Sequence, residues 1–347
     1  MSIEFFKLKV AKVVKETKHA VSVYLSVPEN LQPTFAWQPG QHIQVKLPFG
    51  EKSIVRSYSI SNDVATEGLR ITVKALPFGK ASNFIASRVK AGQMLDVSRP
   101  QGDFVLPDEP KAGAHYYFYA AGSGITPLYS MMSDVLSKDS QAKVSLLYGN
   151  TNGKTAIFLD AIAALASQFN GRVTIAHCWT KPGWFSKAKA WRKSRVNQGA
   201  IKSFFEQQPL NAPAHYHFMC GPTAFMSEAK ATLTELGVAN DAIFLESFGA
   251  EKKAEVVNGQ AASLVLPMSA GGIDVGADET LLDAMLRHNI DAPYSCESGV
   301  CGSCQCTLEE GKVSMKENLF LTDEEQEKGL ILACQAVAQS DTVKITF

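Results

Sequence analysis

The feature that most constrains this chain is a crowd of cysteines near its C-terminal end. Cys296, Cys301 and Cys304 stand in one glycine-containing stretch with C-x4-C-x2-C spacing, and Cys334 follows after 29 intervening residues. That is the spacing by which four thiolates hold two irons and two sulfides, with a short loop wrapping the cluster and aiming backbone N–H groups at its sulfurs. Gly299 and Gly302 provide the backbone freedom such a loop needs. Four cysteines also satisfy a structural zinc, but zinc ribbons use two separated C-x2-C pairs, and here three ligands share one loop. The expectation is therefore a 2Fe-2S cluster on Cys296, Cys301, Cys304 and Cys334. Cys306 has no place in the pattern and reads as a packed strand residue.

Five of the seven cysteines fall in the last 52 residues of a 347-residue chain. The N-terminus, Met1-Ser2-Ile3-Glu4-Phe5-Phe6, has neither a basic start nor a long apolar stretch, so metal or redox chemistry is favoured over disulfides and a cytoplasmic location is the default. No run of about 18 apolar residues offers a membrane span. The formal net charge is zero, but from Ser263 onward 14 Asp and Glu face 5 Lys and Arg, a local net of −9. An acidic terminal module can dock on a basic surface or merely keep itself dissolved, and charge alone does not choose. No nucleic-acid partner is expected.

The length fits two or three domains. The first hundred residues alternate apolar and polar positions between turns, as in Gln41–Leu47 and Leu69–Lys74, which indicates an antiparallel sheet closed into a small barrel. After Pro110 strand-like runs (Tyr116 to Ala121, Val144 to Tyr148, Val173 to Cys178, His215 to Cys220) alternate with helical stretches (Pro127 to Lys138, Thr223 to Leu236). Such alternation indicates a doubly wound α/β domain on a parallel sheet. The expected boundaries are 1–109, 110–248, a polar linker at 249–262, and a third domain at 263–347.

Six further segments are singled out. Arg56-Ser57-Tyr58-Ser59 reads by itself as an amphipathic strand, although its residue types suit a phosphate, a planar ring and a polar edge. Gly79-Lys80-Ala81-Ser82 and Pro100-Gln101-Gly102-Asp103-Phe104 follow in the same half of the chain. Gly122-Ser123-Gly124-Ile125-Thr126-Pro127 follows an apolar strand and opens a helix, a geometry that presents donors to a pyrophosphate. Cys220-Gly221-Pro222 repeats the strand-end arrangement about a hundred residues later, and Glu246-Ser247-Phe248 ends the second domain.

Taken in order, these motifs resemble the ferredoxin-NADP reductase-like flavoproteins, across essentially the whole chain. The resemblance implies that Arg56 holds the flavin phosphate, Tyr58 packs on the isoalloxazine, Ser59 bonds near N5, and Gly79, Lys80, Ala81 and Ser82 form a second phosphate-binding segment. It further implies that Gly122, Gly124, Thr126 and Pro127 bind the nicotinamide nucleotide, that Cys220, Gly221 and Pro222 abut its ring, and that Phe248 lies near the flavin with Glu246 assisting. The third domain would be an α+β ferredoxin-like β-grasp. Met315-x2-Asn318 and Leu332-Ala333-Cys334-Gln335 resemble the subgroup of reductases serving phenylacetyl-CoA epoxidase and ketosteroid hydroxylase.

The function implied is an NAD(P)H-dependent oxidoreductase. A nicotinamide gives two electrons together and the cluster accepts one, so a flavin between them fits. FAD is expected over FMN. Thr180-Lys181 lies near where NADPH-using relatives grip the 2′-phosphate, and NADH and NADPH both stay open. The expected partner is a di-iron or Rieske oxygenase, or a desaturase. A non-oxygenase acceptor such as hybrid-cluster protein is the alternative, and a redox-responsive binding protein without turnover is disfavoured by the complete cofactor motifs.

Overall fold

The computed structural model describes residues 4–49, 52–63, 66–77, 79–182, 188–208, 211–248, 258–267, 272–294, 297, 299, 302–318 and 320–347. Its contacts separate two units, Ile3–Leu245 and Glu246–Phe347.

The larger unit begins with six antiparallel strands: β1 (Phe5–Thr17), β2 (Ala20–Ser26), β3 (His42–Phe49), β4 (Lys52–Ser59), β5 (Leu69–Lys74) and β6 (Met94–Ser98), ordered β4-β3-β6-β1-β2-β5. Apolar residues recurring on one face close its core, with Leu8, Val23, Ile43, Val45, Ile71 and Val97 all fully buried. Burial of such a side chain contributes about 1.5–3 kcal/mol. Leu69–Lys74 forms a strand over the range expected. The helix α1 (Lys80–Arg88) carries no strong helical signal in sequence and forms because Ala81, Ser82 and Ile85 pack beneath it.

The second half of this unit is a five-stranded sheet. Its elements run β7 (His115–Ala121), α2 (Ile125–Lys138), β8 (Lys143–Asn150), α3 (Leu159–Gln168), β9 (Val173–Trp179), α4 (Gln198–Glu206), β10 (His215–Cys220), α5 (Thr223–Glu235) and β11 (Ile243–Glu246). The order is β11-β10-β7-β8-β9, and β7, β8, β9 and β10 pair in parallel. The winding proceeds one way from β7 and the other way from β10, so the crevice where the connections diverge lies at the ends of those two strands. Both glycine motifs sit there.

In the second unit β12 (Ala262–Val265), β13 (Ile273–Val275), β14 (Gln305–Glu310), β16 (Leu330–Leu332) and β18 (Thr342–Thr346) form a mixed sheet ordered β13-β12-β18-β14-β16. The helix α6 (Leu281–Arg287) buries Leu281, Leu282, Ala284 and Met285 into its core. A two-stranded ribbon of β15 (Val313–Met315) and β17 (Ala336–Ala338) and the acidic helix α7 (Asp323–Glu327) complete it. Most of the polar stretch expected as a linker, 249–257, lies outside the described residues. Among the described residues no helix is long and apolar enough to cross a membrane.

Candidate functional site

On β4 the two-residue period sends Arg56 and Tyr58 to one face and Ser57 and Ser59 to the other. Arg56 is exposed, its Nη1 donating to the Val55 carbonyl at 2.7 Å. Tyr58 is half-buried, and burial pushes its phenol up to about 12, against the opposing charge of Arg56. Ser59 is 4 % exposed and its Oγ is buried with no hydrogen-bond partner among the described residues. A buried hydroxyl left unpartnered costs about 1–3 kcal/mol, and a polar flavin edge beside it would supply the missing partner.

The helix α1 starts at Gly79 without a side-chain cap. Its first-turn N–H groups, on Lys80, Ala81 and Ser82, have no partner within the helix, which is the arrangement that receives a phosphate. Ser82 Oγ accepts from Leu76 N–H at 3.2 Å and donates to the Gly79 carbonyl at 3.3 Å, so this hydroxyl braces the turn. The residues present fit a flavin nucleotide.

At the crevice the two glycine motifs meet. Cys220, fully buried, ends β10 opposite Ala120 of β7. A Cβ on Gly124 would stand 1.9 Å from the Cys220 carbonyl oxygen, and one on Gly221 would stand 2.9 Å from the Ala121 Cβ. Only glycines let the turns approach this closely. Gly122 adopts a φ of 58°, Thr126 Oγ1 donates to the Ser123 carbonyl at 3.0 Å, and Pro127 lies in the first turn of α2, where its missing N–H is harmless. Pro222 precedes α5 in the same manner.

Lys74 was not singled out by its sequence. It ends β5, is half-buried, and burial lowers its ammonium pKa. Its Nζ lies 3.4 Å from where a Gly122 Cβ would be, and no carboxylate pairs with it among the described residues. A half-buried cation beside a pyrophosphate-type turn fits an anionic ligand. Thr180 and Lys181 follow β9, their N–H groups donating to Asn150 and Thr151 carbonyls at 3.1 and 2.8 Å. Cys178 is buried in β9, its thiol pushed up to about 11 by burial. Glu246 ends β11, Ser247 is buried and Phe248 is 45 % exposed.

In the second unit Cys304 and Cys334 are buried together, 2 % and 5 % exposed, with the Cys334 N–H 3.5 Å from Cys304 Sγ. Gln335, which carried no assigned role, donates from Nε2 to Cys334 Sγ at 3.5 Å and to the Glu297 carbonyl at 3.0 Å. Gly302 has φ 72° and the Phe320 ring lies against it. Cys306 lies inside β14, buried, its thiol pushed up to about 12 by burial and by Cys334. Cys296 and Cys301 lie outside the described residues. Two buried sulfurs converging under N–H donors fit a cluster that prefers thiolates in a desolvated pocket.

Three family models match: an oxidoreductase FAD-binding domain over 7–106, an oxidoreductase NAD-binding domain over 118–231, and a 2Fe-2S iron-sulfur cluster binding domain over 270–339. The chain is 31% identical to one of the subunits of 1,2-phenylacetyl-CoA epoxidase from Escherichia coli, over 99% of this chain and 98% of that one. It is 33% identical to the ferredoxin reductase component of 3-ketosteroid-9-alpha-monooxygenase of Rhodococcus rhodochrous, over 98% and 96%. Phthalate dioxygenase reductase shares the fold, with a TM-score of 0.63 at 24% identity over 99% of this chain and 98% of that one. The chain thus belongs to the family of NAD(P)H-dependent reductases that join an FAD-binding domain, an NAD-binding domain and a C-terminal 2Fe-2S domain in one polypeptide.

Proposed function

We propose that this reductase is the electron-supplying component of an oxygenase system. The observation that carries the reading is full-length similarity to two proteins whose names place them in an epoxidase and a monooxygenase. The net of −9 from Ser263 onward adds to it, since it puts the electron-delivering end in an acidic module suited to a basic acceptor.

A bound flavin would supply a carrier between the two-electron nicotinamide and the one-electron cluster. The protein's own part is positioning. Arg56 and the first turn of α1 hold phosphates, Tyr58 supports the ring, and the Ser59 hydroxyl orients its polar edge. Gly122, Gly124 and Gly221 admit the dinucleotide backbone at the crevice, Lys74 neutralises its charge, and buried Cys220 walls the nicotinamide pocket against water. Glu246 and Phe248 keep the roles that the resemblance gives them. Cys296, Cys301, Cys304 and Cys334 hold the cluster, with the Gln335 carboxamide donating to one sulfur. The domains divide near 109 and 248 in this reading.

Affinity capture from native cells, followed by NAD(P)H-driven reduction of the captured protein, tests the assignment. A di-iron or Rieske oxygenase component, or a desaturase, is the expected acceptor. Recovery of an acceptor with no oxygenase chemistry, reduced at a comparable rate, would overturn it.

A further inference from the structure

A buried cation of the barrel reaches into the nucleotide-binding half. Arg70 lies in β5 and is 5 % exposed. Its backbone is tied into the barrel, with its N–H donating to Asn62 Oδ1 at 2.6 Å and its carbonyl accepting from the Ser61 N–H at 2.7 Å. Its Nε donates to the Ser61 carbonyl at 2.8 Å, Nη2 donates to the same oxygen, and Nη1 donates to the Tyr24 hydroxyl at 3.4 Å. Burying a charge this deeply is unfavourable unless the surroundings answer it. Much of the answer comes from the other half of the unit: Cζ stands 4.8 Å from the centre of the Phe158 ring and 5.4 Å from that of Tyr129.

Those two rings are 4.8 Å apart and both lead to the nucleotide turn. Tyr129 lies on α2, the helix that the Gly122–Gly124 turn opens. Phe158 caps α3 with a φ of 60°, a left-handed conformation that an aromatic residue keeps only where its neighbours hold it. Ile157, beside it, donates its N–H to Tyr148 Oη at 3.1 Å, and that hydroxyl donates to the Gly122 carbonyl at 3.1 Å. A continuous path therefore runs from the barrel through Arg70, Phe158, Ile157 and Tyr148 to Gly122. On the barrel side, Asp63 interacts with the Tyr129 phenol from beside Arg70.

We propose that Arg70 is a positioning residue for hydride transfer, clamping Tyr129 and Phe158 so that the nucleotide turn is held at a fixed distance and angle from the flavin-binding strand β4. Arginine suits this place because its planar guanidinium stacks on two rings while donating to a carbonyl, which the ammonium of lysine does not do. The proposal rests on the reading of β4 as the flavin strand and deepens it: the role assigned to Arg70 is the mutual alignment of the two binding sites rather than contact with either ligand. A misplacement of about 1 Å is enough to cost about a hundredfold in rate.

The test is anaerobic stopped-flow reduction of the flavin in the full-length holoprotein, with NADH and NADPH each titrated against Arg70→Lys, Phe158→Leu and Tyr129→Leu. The expected result is a limiting rate lowered about tenfold or more in Arg70→Lys and about threefold or more in the ring variants. Flavin content and the nucleotide dissociation constant should stay within about twofold, and the long-wavelength charge-transfer absorbance should be weakened. Limiting rates equal to the parent protein would overturn the proposal, as would losses confined to nucleotide affinity or flavin retention. Should Arg70→Lys fail to fold, the two ring variants decide by the same criteria. Failure of the flavin-strand reading is distinguishable, because it would appear as unchanged flavin retention in Arg56→Ala.

Discussion

The Cys220 carbonyl oxygen lies 1.9 Å from the position that a Cβ on Gly124 would occupy. Backbone meets backbone at this point, and neither can rotate aside. Gly124→Ala should therefore destabilise the protein by about 1–3 kcal/mol through overpacking and weaken NAD(P)H binding at the crevice. Alanine is otherwise the better helix former. A thermal midpoint that rises, with unchanged nucleotide affinity, would show that the close approach is dispensable.

Ser59 Oγ is buried without a partner among the described residues, so Ser59→Ala should leave the flavin-free protein at least as stable, by up to about 1–3 kcal/mol, while slowing flavin reduction about tenfold or more. Arg56→Ala should instead weaken flavin retention by about 1.5–3 kcal/mol, the worth of a charge-assisted phosphate contact. Flavin content after dialysis and stopped-flow reduction separate the two effects. Equal losses in both assays for both variants would dissolve the distinction.

Lys74 stands beside Gly122 with its pKa lowered by burial. Lys74→Gln should raise the NAD(P)H dissociation constant about tenfold or more with flavin content preserved. Because binding needs the protonated ammonium, affinity in the parent protein should fall as pH rises through that lowered pKa, and the variant should lose this dependence. Titration of nucleotide binding from neutral to alkaline pH checks both expectations.

Burial holds three histidines neutral: His42 at about 4, partly offset by Asp103, His177 at about 4, and His217 at about 3 with help from His215 and His115. An unfolded chain takes up these protons near 6.5, whereas the folded one resists until about 4 or lower. Stability should therefore decline as pH falls through the window from about 6.5 to about 4, by about 1–2 kcal/mol per buried ring at pH 5. Thermal unfolding across that range measures it. His217→Phe, which preserves the stacking on Tyr117, should flatten part of the slope, and an unchanged slope would move the effect to other groups.

If the acceptor docks on the acidic C-terminal unit, opposite charges chiefly raise the association rate, a gain that salt screens. Reduction of the acceptor should slow steeply from low to moderate ionic strength, while ferricyanide reduction by the flavin changes much less. Insensitivity of acceptor reduction to salt would make the acidic surface a solubility feature. Equal sensitivity in both assays would place the effect at nucleotide binding.

The sequence by itself determined the element types and the cofactor motifs, because these depend on local chemistry. Leu69–Lys74 and His215–Cys220 form strands where their apolar runs indicated, and the glycine turns fall at strand ends as their spacing required. Tertiary structure alone decided which distant residues meet. No local pattern distinguishes Lys74 from other strand-end lysines, or Arg70 from a solvated arginine, since their roles arise from what the neighbouring half of the fold brings against them. Likewise Gln335 is an ordinary polar residue until the fold brings its carboxamide to the Glu297 carbonyl, 38 residues away. Composition and period record the preference of each residue for its neighbours along the chain. Contacts between segments far apart in sequence depend on sheet order and winding, which only the folded chain resolves.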